Sequence, residues 1–248
     1  MTKIKLTILS AAILILPLLA AVPLKAQNFP LLKRLLETRG CPGCDLFGAS
    51  LNRADLFGAS LSGAILSRAD LIDADLTAAD LMAANLNNAN MRNAFLIDAD
   101  LSRADLSRAD IRGANLENAN LSESFLKDSS LQFANLKCSN LSAARLTQSD
   151  LRNADLTGAN LRGADIKAAD LSGANLSGAD LRGADLSDAR LNKAILKDAN
   201  LCGALMPNRS KSRRGCPVKG VPQQLVKLNS YCNYCHPIYT DPEWIDLF

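Results

Sequence analysis

The chain has 248 residues, a formal net charge of +3, 48% apolar and only 4% aromatic residues, and seven cysteines. That length and apolar content support a substantial core, and the scarcity of rings makes it a core of small aliphatic side chains. Removal of Lys3, Lys5 and Lys25 with an amino-terminal leader brings the charge to 0, which excludes an electrostatic case for nucleic-acid binding.

Residues 1–26 read as a secretory signal peptide: a short basic start, an apolar run from Leu6 to Val22, and cleavage after Ala26. The other reading is a retained anchor, since 17 apolar residues sit at the lower limit for a membrane span. Cleavage leaves no stable span and places the cysteines where they can pair.

Residues 27–40 carry a capping Asn28, an early Pro30, leucines at helical spacing and a closing Gly40. They predict a short amphipathic helix lying over the start of the region 41–206.

From Leu46 to Leu201 a large aliphatic residue occupies every fifth position, 32 times in succession. Two residues before each stands Ala in 27 cases, Ser in four (Ser124, Ser129, Ser139, Ser149) and Cys44 in one. On an α-helix a five-residue period winds the leucines around the cylinder, and on a flat strand an odd period alternates them between faces. A regular core therefore requires the chain to turn once per repeat. The small residue and the leucine point inward from one short extended piece, and the residue between them, mostly Asp or Asn, points out. The two residues after the leucine make the corner, where ten of the 14 glycines stand in second place, among them Gly48, Gly58, Gly63, Gly113 and Gly183.

The units "ADLSR", "ANLSG" and "ADLRG" resemble the A(D/N)LXX unit of the pentapeptide-repeat family, in particular its exported cyanobacterial and thylakoid-lumen members. The resemblance implies an all-β fold: a right-handed quadrilateral parallel β-helix, with four repeats per coil and about eight coils over residues 41–206. At roughly 4.8 Å between coils the rod is about 38 Å tall. It further implies a non-enzymatic scaffold that acts by protein–protein interaction in the periplasm or thylakoid lumen.

Residues 207–248 change character. A basic loop (Arg209, Lys211, Arg213, Arg214, Lys219) precedes a segment holding Tyr231, Tyr234, Tyr239 and Trp244. Two readings stand: a cap over the last coil, or a docking peptide for a partner. An open coil end also permits end-to-end self-association, as the flanks permit face-to-face pairing.

Six cysteines are the disulfide candidates: Cys41, Cys44, Cys202, Cys216, Cys232 and Cys235. Cys138 and Cys202 fall at outward corners, connectivity is not readable, and one cysteine of seven is left over within the chain. The two CxxC pairs also suit zinc, with disulfides favoured by export, and dithiol exchange at Cys232 and Cys235 makes a redox-active tail on the repeat scaffold the alternative function. Cys232, Cys235 and the only histidine, His236, match the CxxCH attachment pattern of c-type haem, the one cofactor alternative to none.

No catalytic constellation accompanies the repeats, and recurrent aspartates such as Asp100, Asp105 and Asp110 read as solvated positions. Residues 41–206 carry 21 acidic and 16 basic side chains. That sign suits the DNA mimicry of the family's quinolone-resistance members, but corner arginines (Arg53, Arg68, Arg103, Arg108, Arg152, Arg162) interrupt any acidic stripe. The remaining class is an interaction scaffold with an unidentified protein partner. Phe57, Phe95, Ile97 and Ile195 share one side and form the candidate surface. Phe47, Ile65 and Phe125 share the opposite side, with Ile72, Met82 and Phe133 on the other two.

Overall fold

The computed structural model describes residues 29–216. Helix α1, Phe29–Thr38, opens it. Leu35 is wholly buried, and Leu31 and Leu32 are partly buried against the same core, so one stripe of the helix seals the first coil. The left-handed residue that ends the helix is Arg39 (φ 54°), not the expected glycine. Gly40 instead begins the ladder by pairing with Ser60.

From there the chain coils with a pitch of 20 residues. Parallel bridges join Asp45 to Ile65, Asp105 to Phe125, Asp185 to Leu205, and every intervening fifth residue to its counterpart one coil on. Four repeats therefore make one coil with four sides. Continuous strands do not form: each side pairs through a single bridge residue, because the corners consume the rest of the repeat. The register runs one place beyond the leucines at each end, with Cys41 fully buried in a leucine's place and Met206 partly buried in the last.

Each corner closes with an N–H of the small residue donating to the carbonyl of the leucine three places before, as Ala104 does to Leu101 at 3.0 Å. Only the residue before the small one has positive φ, the combination that defines a type II turn. Glycine is not required there. Of the 33 corners from residue 43 to 203, 22 hold a side chain in the left-handed region, including Arg53, Ala78 and Phe133. Each such residue costs roughly 1 kcal/mol. The coil-to-coil bonds offset this cost.

The unit 101–105 shows how completely the backbone donors are satisfied. Leu101 donates to the Asn120 carbonyl at 2.7 Å, Arg103 to Ser122 at 2.9 Å, Ala104 closes the corner, and Asp105 donates down to Ala84 at 2.9 Å. The remaining donor, Ser102 N–H, is taken by the Asp100 carboxylate at 2.9 Å. The recurrent aspartates and asparagines are therefore more than solvated positions. Nearly every one caps the first corner residue of its own repeat, as Asp75 does for Thr77 (3.0 Å), Asp105 for Ser107 (2.9 Å) and Asp155 for Thr157 (3.0 Å), the exception being Asn90, whose buried Oδ1 has no partner among the described residues. An Asx side chain is the shortest that can return to its own backbone two residues on.

Inside, leucines and alanines stack coil upon coil, nearly all below 2% exposed. The four serines that replace alanine are tolerated because each hydroxyl donates to the leucine carbonyl three residues before, at 2.7–2.8 Å. No buried hydroxyl is left without a partner in these positions.

At the carboxyl end the chain turns back after Met206, and Leu205 pairs antiparallel with Lys211. Leu201 donates to Arg214 (3.1 Å) and Gly203 to Ser212 (3.0 Å), so this return covers part of the last coil. Leu191, Ala194 and Leu196, on its other sides, remain partly exposed. No helix among the described residues is long and apolar enough to cross a membrane. The leader of residues 1–26 lies outside the described residues.

Candidate interaction surface

Among the described residues the interior offers no site, since buried leucines and alanines fill it from Leu56 to Ala189. Among the described residues no cluster of His, Cys, Asp and Glu could hold a metal ion. The outward positions of the described residues are placed by the 20-residue pitch.

The pitch divides the four apolar candidates. Phe95 and Ile97 flank the buried Leu96, so both project from one turn; Phe95 is 48% exposed and Ile97 half-buried. Phe57, 49% exposed, lies on the same corner two coils below Ile97, about 10 Å away, with Thr77 between them. Ile195, 51% exposed, stands five coils from Phe95, about 24 Å along the rod. Phe57, Phe95 and Ile97 thus form one strip, and Ile195 belongs to the carboxyl end.

On the opposite side the rings are engaged. The Arg68 guanidinium lies 5.7 Å from the Phe47 centroid and that of Arg145 4.8 Å from Phe125, both in cation–π range. Phe133 is the most exposed large apolar side chain among the described residues, at 68%, on the corner that also holds Ile72 three coils below.

The polar surface is internally matched. Arg53 pairs with Asp73, Arg103 with Glu123 and Arg108 with Asp128, each one coil on, while Arg112 and Arg152 pair with Asp110 and Asp150 of their own repeats. Such exposed pairs contribute little stability, but they neutralise the acids where they stand. The hydrogen bond from Arg112 holds the Asp110 carboxyl below its ordinary range. Burial pushes Asp150 up, yet bonds from Arg152 and Gln132 outweigh it and leave that carboxyl low. Burial likewise opposes Asp185, which Ser187 and Lys167 nevertheless hold low.

Around the corner from the apolar strip the Asx caps also bond to each other. Asn120 donates to Asp100 (3.1 Å), Asn140 to Asn120 (3.2 Å) and Asn160 to Asn140 (3.0 Å), an amide ladder along the rod axis. The ladder begins beside Ile97, at Asp100, and runs toward the carboxyl end, while Ser60 and Asp80 border the rest of the strip.

Cys41 and Cys44 form a disulfide across the Pro42–Gly43 corner. They occupy the two inward positions of that turn, so the bond is buried beneath α1. Cys202 pairs with Cys216, tying the carboxyl return to its corner. Cys138, absent from the sequence-derived candidates, is disulfide-bonded as well. It stands at a corner and is half-buried. Cys232, Cys235 and His236, and with them the haem alternative, lie outside the described residues.

Comparison with known proteins agrees with this geometry. The family description "Pentapeptide repeats" matches in overlapping segments from residue 44 to residue 206. HetL, a pentapeptide repeat protein involved in heterocyst differentiation regulation in the cyanobacterium Nostoc sp. strain PCC 7120, is 34% identical over 73% of this chain and 98% of its own, with a TM-score of 0.35. A pentapeptide repeat protein of the Arabidopsis thaliana thylakoid lumen is 28% identical over 50% of this chain and 70% of its own, with a TM-score of 0.34. Full-length QnrB1, a plasmid-mediated fluoroquinolone resistance protein, is 20% identical over 67% of this chain and 84% of its own, with a TM-score of 0.45. No curated protein matches the chain. Proteins of this family form right-handed quadrilateral β-helices, the four-sided coil that the bridges trace here. The chain belongs to the pentapeptide-repeat family.

Proposed function

We propose that the protein is a non-enzymatic scaffold, exported to the periplasm or thylakoid lumen, that holds a protein partner against the strip formed by Phe57, Phe95 and Ile97. The observation that carries this reading is their juxtaposition: two rings about half exposed, within two coils of each other, with no guanidinium of the described residues over them such as covers Phe47 and Phe125. Aromatic side chains beside a rigid polar rim suit a partner with an apolar contact surface. The similarity to a thylakoid-lumen protein and to a cyanobacterial regulator supports the compartment and the class of role. The reading needs no cofactor and no nucleic acid, and the paired corner arginines weigh against a DNA-like acidic stripe.

The test places a photocrosslinking residue at position 57, 95 or 133 of the full chain in its host. Adducts of one mass at 57 and 95, absent at 133 and lost in Phe95→Asp, support the strip. Equal adducts at all three positions overturn it. Amino-terminal sequencing from Gln27 supports export with cleavage.

A further inference from the structure

The carboxyl end of the rod carries an excess of charge that the strip does not use. Residues 45–188 hold 20 acidic and 13 basic side chains, whereas residues 189–216 hold seven basic side chains and one acidic, Asp198. The rod is therefore acidic along its length and basic at one tip. Arg190 pairs with Asp170 and Arg209 with Asp188. Among the described residues Lys193, Lys197, Lys211, Arg213 and Arg214 have no carboxylate partner, and all five are exposed. Beyond Cys216 the sequence adds two lysines and three acids, too few to cancel the excess.

The fold fixes where these cations stand. Lys193, Ile195 and Lys197 follow one another along one side of the last coil, and Lys211, Arg213 and Arg214 lie on the return that crosses the next side. That return is held in place: Leu205 pairs with Lys211, the Leu201 N–H donates to the Arg214 carbonyl, and Cys216 is bonded to Cys202. The two sides meet where the Arg214 guanidinium donates to the Leu196 carbonyl at 2.6 Å. Apolar side chains lie between the cations: Ile195 is 51% exposed, and Leu191 and Leu196 are partly exposed. In lower coils the leucine and second-corner N–H groups donate to the coil above; at the tip those of Leu191, Lys193 and Leu196 have no partner among the described residues.

We propose that this tip docks on an anionic lipid surface, with Lys193, Lys197, Lys211, Arg213 and Arg214 among the headgroups and Ile195 entering the boundary with the acyl chains. Clustered cations around apolar side chains are what such a surface attracts and partly buries. The open N–H groups donate to headgroup oxygens. A second copy suits the tip less well. Its like tip sets the same five cations against five, and its other end offers no counter-charge, since residues 29–39 hold three cations and one acid. The acidic length of the rod is repelled by the surface that holds the tip, so the rod stands upright on it. Phe57 lies seven coils from Lys197, which lifts it about 34 Å from the lipid and leaves the strip open.

The experiment floats the full chain from an exporting host with vesicles of phosphatidylcholine alone, or of equimolar phosphatidylcholine and phosphatidylglycerol. The expected result is recovery with the anionic vesicles only, lost in about 1 M salt, where charges are screened beyond about 3 Å. Each cation near such a surface strengthens partition about fivefold, so Lys193→Gln/Lys197→Gln should weaken it about 25-fold. Ile195→Asp should weaken it as well. Arg103→Gln/Arg108→Gln removes the same charge from the flank and should bind as wild type does. An equal loss in both double variants makes net charge the cause and overturns the tip. Equal flotation with both kinds of vesicle, or none with either, overturns the proposal. So does salt-sensitive self-association, or capture by polyglutamate, without flotation, because the cations then serve a protein surface.

Discussion

Replacing Asp75, Asp80 and Asp105 together by alanine removes three acceptors that cap Thr77, Met82 and Ser107 at 3.0, 3.0 and 2.9 Å. None of the three carboxylates makes an ion pair among the described residues, so the substitution isolates the cap. Loss of a side-chain cap on a backbone donor costs about 1 kcal/mol, and the freed N–H groups lie near enough to water to keep the cost from the upper end of its range. The sites are on different sides or coils, so the effects add to about 3 kcal/mol. In a rod of this size that lowers the thermal midpoint by about 6–12 °C. The matching triple asparagine variant removes the same three charges but keeps each acceptor, and its midpoint should stay within about 2 °C of wild type. Thermal melts followed by circular dichroism compare the two. If the asparagine variant falls as far as the alanine variant, the aspartates act by charge, and the capping argument is refuted.

The core should be unforgiving in both directions: Leu126→Ala opens a cavity between stacked coils and costs about 2–5 kcal/mol, while Ala109→Leu overfills a position that admits only small residues and costs about 1–3 kcal/mol, both read from urea midpoints. Corner geometry predicts opposite signs for mirror substitutions. Ala78→Gly relieves a left-handed residue and should raise stability by up to about 1 kcal/mol, whereas Gly183→Ala, with open space around it, should lower it by about as much through φ alone. Because Asp110, Asp150 and Asp185 are held below the ordinary aspartate value of 3.8 in the fold, their contribution is complete above that value and is lost as pH falls through the lowered ones. The urea midpoint should therefore be flat from neutral pH to about 5 and drop below about 4. Replacing the three by asparagine should flatten the acid limb, and an unchanged limb would show that they carry none of it.

What the linear chain determined is the part of the fold governed by its period. Leucine at every fifth position with a small residue two before it can be buried only if the backbone turns once per repeat, so the core residues, the corners and the outward Asx positions are legible from spacing. The closing of coils after 20 residues is legible only through resemblance, since nothing in a five-residue repeat states how many repeats complete a turn. Other features require the coil to be closed. The aspartates read as solvated side chains because a sequence does not show which N–H groups the ladder leaves over; with the ladder formed, one donor per repeat remains, and in most repeats that have an Asx side chain before the leucine, that side chain takes it. Likewise the spacing groups Ile195 with Phe57, Phe95 and Ile97 because position around the coil follows from the period, whereas distance along the rod follows from the number of coils between. Cys138 is missing from the sequence-derived disulfide candidates for a related reason: its place at an outward corner is written in the repeat, but the proximity of another thiol is not.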